Sequence, residues 1–80
     1  MPDWLPELQS LMKEHEFKQV RARDLSCIKF ENEGVSVETC DGRAFGATQQ
    51  REDGGTLSNS IVGISKLRDY LQWVAIELHN

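Results

Sequence analysis

The chain has 80 residues, of which 39 % are hydrophobic and 28 % charged, and a formal net charge of −4. This length holds one domain that buries only about 60–65 % of its unfolded surface, which excludes multidomain enzymes and large barrels. The apolar content excludes disorder, the acidic balance argues against direct nucleic-acid binding, and no apolar run approaches the ~18 residues of a membrane span.

In chain order, Asp3 suits an N-cap and Pro6 suits the first helical turn, where a missing N–H costs little. Trp4, Leu5, Leu8, Leu11 and Met12 recur at helical spacing, with Glu7, Gln9, Lys13 and Glu14 opposite. This pattern predicts an amphipathic helix from about Trp4 to Glu16. The opening Met1-Pro2-Asp3-Trp4 has no basic region followed by an apolar stretch, so no signal peptide is expected. Residues 17–24 read as a connection with some strand character.

Ile28 and Phe30 alternate with polar residues, as do Val35 and Val37, with a turn signal at Asn32-Glu33-Gly34. Asp41-Gly42 suits a two-residue type I′ hairpin loop. Strands are therefore predicted at about 26–31, 34–40 and 43–48, forming an antiparallel meander. Pairing Phe30 with Val35 and Ile28 with Val37 places these four toward the helices. It leaves Cys27, Ser36, Glu38 and Cys40 on the open face. A two-residue loop at Asp41-Gly42 pairs Glu38 with Phe45, which sends Phe45 and Ala47 to the open face as well. In that register Cys27 and Cys40 are diagonal, an arrangement that does not favour a disulfide.

Gln49–Asn59 is polar, contains Gly54-Gly55 and reads as a long loop. Asn59 or Ser60 is the expected cap of a last helix from about Ser60 to His79. Its core stripe is Ile64, Leu67, Leu71, Val74 and Leu78, with Ile61 and Ala75 beside it. The expected fold class is α+β in the order α-β-β-β-α, a three-stranded antiparallel sheet covered on one face by two helices.

The inventory of reactive groups is thin. Two cysteines are too few for a disulfide scaffold, and without an export signal both are expected reduced in a cytoplasm. Cys27, Cys40, His15 and His79 show no paired zinc spacing and no local signature of a thiol nucleophile. Gly54-Gly55 lacks the Lys-Ser or Lys-Thr of a phosphate loop. The acid pairs Glu31/Glu33 and Glu52/Asp53 fall at a hairpin turn and in the polar stretch, with no apolar neighbours to raise a carboxyl pKa. No catalytic group, metal or cofactor is expected, and the chain reads as non-enzymatic.

The anomaly lies on the last helix. Val62, Trp73 and Ile76 fall nearly opposite its core stripe, flanked by Tyr70 and Lys66, where a helix of a soluble monomer is polar. An outward Trp is a common interface anchor. Charge is also uneven. Lys18, Arg21 and Arg23 make residues 18–23 basic, whereas Asp24, Glu31, Glu33, Glu38 and Asp41 outweigh Lys29 over residues 24–42. Such edges steer charged partners. The expected partner-binding residues are Trp73, Ile76, Val62, Tyr70, Glu31, Glu33, Glu38, Asp41 and Phe45.

The element order resembles the double-stranded-RNA-binding domain. That family has a lysine cluster at the start of its second helix, where Ser58–Asp69 supplies only Lys66 and Arg68, with Asp69 beside them. A nucleic-acid binder would use Lys18, Arg21, Arg23, Lys66 and Arg68. In size, charge and lack of chemistry the chain is similar to the small stoichiometric inhibitors of phages and mobile elements, such as anti-CRISPR and immunity proteins. This resemblance implies a larger bacterial enzyme or nucleoprotein complex as partner. The acidic residues at 31–41 would then meet a basic groove while Trp73 supplies affinity. A homodimeric regulatory subunit, burying Val62, Trp73 and Ile76 at a two-fold seam, is the other expectation.

Overall fold

The computed structural model describes the backbone of residues 3–79 and the side chains of residues 3–74. Its elements are α1 (Leu5–Glu14), β1 (Lys18–Val20), β2 (Ile28–Asn32), β3 (Val35–Thr39), β4 (Ala44–Gln50), β5 (Thr56–Val62) and α2 (Ile64–His79). The five strands form one antiparallel sheet in the order β1-β2-β3-β4-β5. The α+β class holds, but the expected three strands are five.

Helix α1 buries Leu5, Leu8, Leu11 and Met12. Trp4 is its N-cap, without a side-chain capping bond, so the cap expected at Asp3 is displaced by one residue. The far end closes with paired backbone bonds: Glu16 N–H donates to Lys13 O at 3.0 Å and Phe17 N–H to Met12 O at 2.8 Å. Glu16 adopts φ 65° to make that turn, and Phe17 and Met12 meet in the core. This is the usual left-handed helix ending, here without glycine.

The β2–β3 turn is Glu33-Gly34, with φ 45° and 84°, as a type I′ hairpin requires. It pairs Asn32 with Val35, Phe30 with Val37 and Ile28 with Thr39. This register differs from the expected one by two residues. The faces keep their identity, but Cys27 and Cys40 fall on the next rung and are joined as a disulfide. Neither the expected diagonal placement nor the reduced state holds.

The β3–β4 turn corrects a second expectation. Thr39 pairs with Phe45 and Glu38 with Gly46, so the turn is longer than the two residues Asp41-Gly42. The buried Thr39 hydroxyl donates to Ala44 O at 2.8 Å and accepts from Gly42 N–H at 2.9 Å. Asp41 Oδ1 accepts from Arg43 N–H at 2.8 Å and Ala44 N–H at 3.0 Å. These four bonds specify the extra residue, and one residue of slip reverses every later side chain. Phe45 and Ala47 therefore point into the core, each 1 % exposed. The expected open-face patch of Phe45, Ala47 and cysteines does not form.

The third correction is the polar stretch. Its middle folds into a tight turn in which Arg51 N–H donates to Gly55 O and Gly54 N–H to Arg51 O. Residues 49–50 extend β4, and Thr56–Val62 form a fifth strand along it. Helix α2 consequently starts at Ile64, after Gly63, and Asn59 and Ser60 are strand residues rather than caps.

One core joins the two layers. Leu8, Leu11, Met12 and Phe17 meet Phe30, Val35, Val37, Phe45, Ala47 and Ile61, and Leu67, Leu71 and Val74 complete it from α2. Helix α1 lies toward β1 and α2 toward β5.

Trp4 packs over Gly42. A Cβ built on Gly42, whose φ is +74°, would fall inside the Trp4 indole, whereas Gly54, at φ +88°, has open space. Gly54→Ala is expected to cost about 1–2 kcal/mol for the left-handed backbone alone. Gly42→Ala should cost clearly more, by urea unfolding; equal losses would mean that Trp4 does not hold the turn. The disulfide spans 13 residues, and cross-linking a loop of this size is worth about 3 kcal/mol. Reduction, or Cys27→Ser with Cys40→Ser, should lower the unfolding free energy by about that much. Unchanged stability under reductant would show that the bond adds nothing.

Candidate functional site

The two edges of the sheet are built differently. β1 has three residues, including Lys18, and short charged edges resist pairing with another chain. β5 has seven residues, Thr-Leu-Ser-Asn-Ser-Ile-Val, with no charge and no proline, and only Ile61 is buried. Among the described residues no strand lies beyond it. An uncharged edge of this length is a template for a further strand.

The surroundings of β5 are incompletely covered. Pairing places Leu57, Asn59 and Ile61 on the helix side, beside Gln49, Ala47 and Phe45. Leu57 is 40 % exposed and Trp73 on α2 is 47 % exposed. The Tyr70 ring lies 6.1 Å from that of Trp73, tilted by 39°. Burial raises the Tyr70 phenol above its ordinary pKa and the Asn59 side chain opposes the shift. Asn59 does not reach bonding geometry, however, and the Tyr70 hydroxyl and Gln49 Oε1 are both buried without a hydrogen-bond partner. Leaving buried polar groups unpaired costs about 1–3 kcal/mol each, so this corner of the fold is under-satisfied.

The structure redistributes the expected partner-binding residues. Trp73 and Tyr70 stay together on α2 beside β5. Val62 is 69 % exposed, but it ends β5 and faces the open side, so it does not share a helical stripe with Trp73. The Ile76 side chain lies outside the described residues. Phe45 is core. Glu31 and Glu38 project from the open face, away from Trp73, and Glu31 is met by Lys29 at 3.5 Å. Glu33 occupies the β2–β3 turn.

Asp41 shapes a turn. Hydrogen bonds from the Ala44 and Arg43 amides hold its carboxyl below the ordinary 3.8, since donors to the charged form favour ionisation. Asp24 is lowered in the same way, chiefly by the Ser26 amide and then by its hydroxyl.

The basic residues do not converge. Lys18 lies on β1 and Arg21 and Arg23 follow it, whereas Lys66 and Arg68 lie on α2, beside the opposite edge. The order α-β-β-β-α behind the likeness to double-stranded-RNA-binding domains is also replaced by a five-strand order. Among the described residues no three of His, Cys, Asp and Glu gather to hold a metal ion, and no helix is long and apolar enough to cross a membrane. Free β5, Leu57, Asn59 and the unpartnered Gln49 were not expected. A polar strand with one buried residue carries no alternating signal, and only its lack of charge distinguishes it.

No family model matches the chain, and no curated protein or solved structure is significantly similar to it.

The Asp41 carboxyl should titrate below 3.8 by carbon-detected NMR. Its lowered pKa contributes stability that is present above the unfolded value and lost as pH falls through the folded one. Asp41→Ala should therefore flatten the acid limb of the stability curve. A titration at or above 3.8 would show that the turn bonds do not persist in solution.

Proposed function

We propose that this chain acts by protein–protein binding, without chemistry of its own, and that its partner docks on the β5 edge. The observation that carries this reading is the free, uncharged strand Thr56–Val62, with Leu57 and Trp73 exposed beside it. Strand addition gains its affinity from main-chain hydrogen bonds and its register from neighbouring side chains. A Trp at the margin supplies the kind of anchor that dominates binding energy.

Within that reading, the chain is a small stoichiometric inhibitor, similar in class to phage-encoded inhibitors, of a larger bacterial enzyme or nucleoprotein complex. The open face sets Glu31 and Glu38 beside Lys18 and Lys29 and is charge-balanced, so in this reading the uncharged edge and Trp73, rather than an acidic face, supply the contact with the partner. A cytoplasmic site of action belongs to the same proposal. Disulfides persist mainly in oxidising compartments, so that location requires the fold to stand when Cys27 and Cys40 are reduced, which the reduced-protein melt measures directly.

The test is an affinity pull-down from nuclease-treated bacterial lysate with wild type, Trp73→Glu and Ser58→Lys/Ser60→Lys, followed by reconstitution of any retained protein. The expected result is a partner retained by wild type, weakened by both variants, and losing its activity at equimolar ratio. A partner retained equally by all three would remove the β5 edge as the site. A partner bound without loss of activity would remove inhibition. Recovery of the chain alone would remove the hetero-partner reading.

A further inference from the structure

We infer that the β5 edge is self-complementary and, in the free protein, pairs with a second copy of this chain about a two-fold axis, joining two sheets into one until a partner strand displaces the second copy. The inference rests on the reading of that edge as protein-binding and names its occupant in the absence of the partner.

The argument begins with the strand itself. β5 runs from Thr56 to Val62, so Asn59 is its midpoint. An antiparallel two-fold centred there uses every residue of the strand. It sets Leu57 against Ile61 of the second copy on the helix side, and Ser58 against Ser60 and Thr56 against Val62 on the open side. The rungs are compatible: Leu57 with Ile61 is aliphatic with aliphatic, Ser58 with Ser60 is hydroxyl with hydroxyl, and Thr56 with Val62 sets two β-branched side chains together. A two-fold interface requires this match, because one patch must complement itself.

Charge permits the same arrangement. Each chain carries −4, which opposes self-association in general. β5 contributes none of that charge, so two copies meet along it without a like-charge pair. β1, with Lys18, would bring two lysines near a short seam.

The under-satisfied corner also lies at this axis. Asn59, Tyr70 and Trp73 sit on the helix side of β5, and Leu57 is exposed beside the unpartnered Gln49. Pairing brings the Asn59 amides of two copies together at the axis. It covers Leu57 with an aliphatic neighbour.

The register makes a specific test. Ser58→Lys/Ser60→Lys sets lysine against lysine on both symmetric rungs, whereas Ser58→Lys/Ser60→Glu sets lysine against glutamate on both. Within one chain these positions face Thr48 and Gly46, and Gly46 has open space above it. Both variants should therefore fold, as checked by circular dichroism and thermal melting.

Sedimentation and light scattering from micromolar to hundreds of micromolar should give a wild-type mass near twice 9.1 kDa. The double lysine should weaken self-association by about tenfold or more, and the lysine–glutamate pair should restore it. A wild type that stays monomeric overturns self-pairing, as does a dimer indifferent to the double lysine. A double lysine and a lysine–glutamate variant equally impaired would overturn the register. The pull-down separates these outcomes from the broader reading. A foreign partner retained by monomeric wild type and lost in the double-lysine variant would keep the edge and change its occupant.

Discussion

The fold turns on the Thr39 hydroxyl. It is one polar side chain sealed in an apolar core, and such a group is tolerated only when its bonds are made. Thr39 makes two, accepting from Gly42 N–H and donating to Ala44 O. Asp41 reinforces them from the solvent side. Together they lengthen the β3–β4 turn beyond a two-residue loop and set the parity of everything after it. With that parity Phe45, Ala47 and Ile61 form the floor on which Leu67, Leu71 and Val74 of α2 rest. With the opposite parity the largest fully buried side chain, Phe45, would face water, and truncating such a residue costs about 3–5 kcal/mol. The turn is polar and local, but the core across both layers depends on it.

That dependence explains which parts of the fold are legible in the sequence. The helices declare themselves because their apolar residues recur at 3.6-residue spacing over many positions. Leu5, Leu8, Leu11 and Met12 are buried as expected, as are Leu67, Leu71 and Val74. β2 and β3 declare themselves by alternation. Register does not, because the length of a turn is decided by a few hydrogen bonds, and Asp41-Gly42 fits a short loop equally well. The disulfide was hidden by the same ambiguity. Two residues of register convert a diagonal pair into a facing pair, with no change in which face is apolar.

β5 was hidden for a different reason. Alternation is visible only when one face of a strand is buried. Strand Thr56–Val62 buries Ile61 alone, so its pattern is that of a loop, and Gly54-Gly55 strengthens the impression. The same poverty of buried contacts gives the strand its candidate role. What makes β5 difficult to read as a strand, its exposure and lack of charge, makes its outer edge available. The candidate site was therefore half legible. Trp73 and Tyr70 are outward or marginal on a helix and could be singled out by spacing, whereas Leu57, Asn59 and the edge they flank depend on a strand that has no signature.

Why would so small a domain leave such an edge uncovered? A chain of this length buries a modest share of its surface, so its margin of stability is thin. Exposed Leu57 and Trp73, and unpartnered Gln49 and Tyr70, subtract from that margin at one corner, while β1, at the other edge, is short and charged. An edge that endangered solubility without a return would be expected to carry the lysine, proline or bulge that blunts natural edges. β5 carries none of these over its whole length. Any species that binds the folded chain at this edge, and not the unfolded one, adds its binding free energy to stability. Cover over Leu57 and a partner for the buried oxygens would remove two costs that the isolated fold bears. The proposed association at β5 would thus be a folding term as well as a functional one, which ties the edge and the deficits around it into one surface.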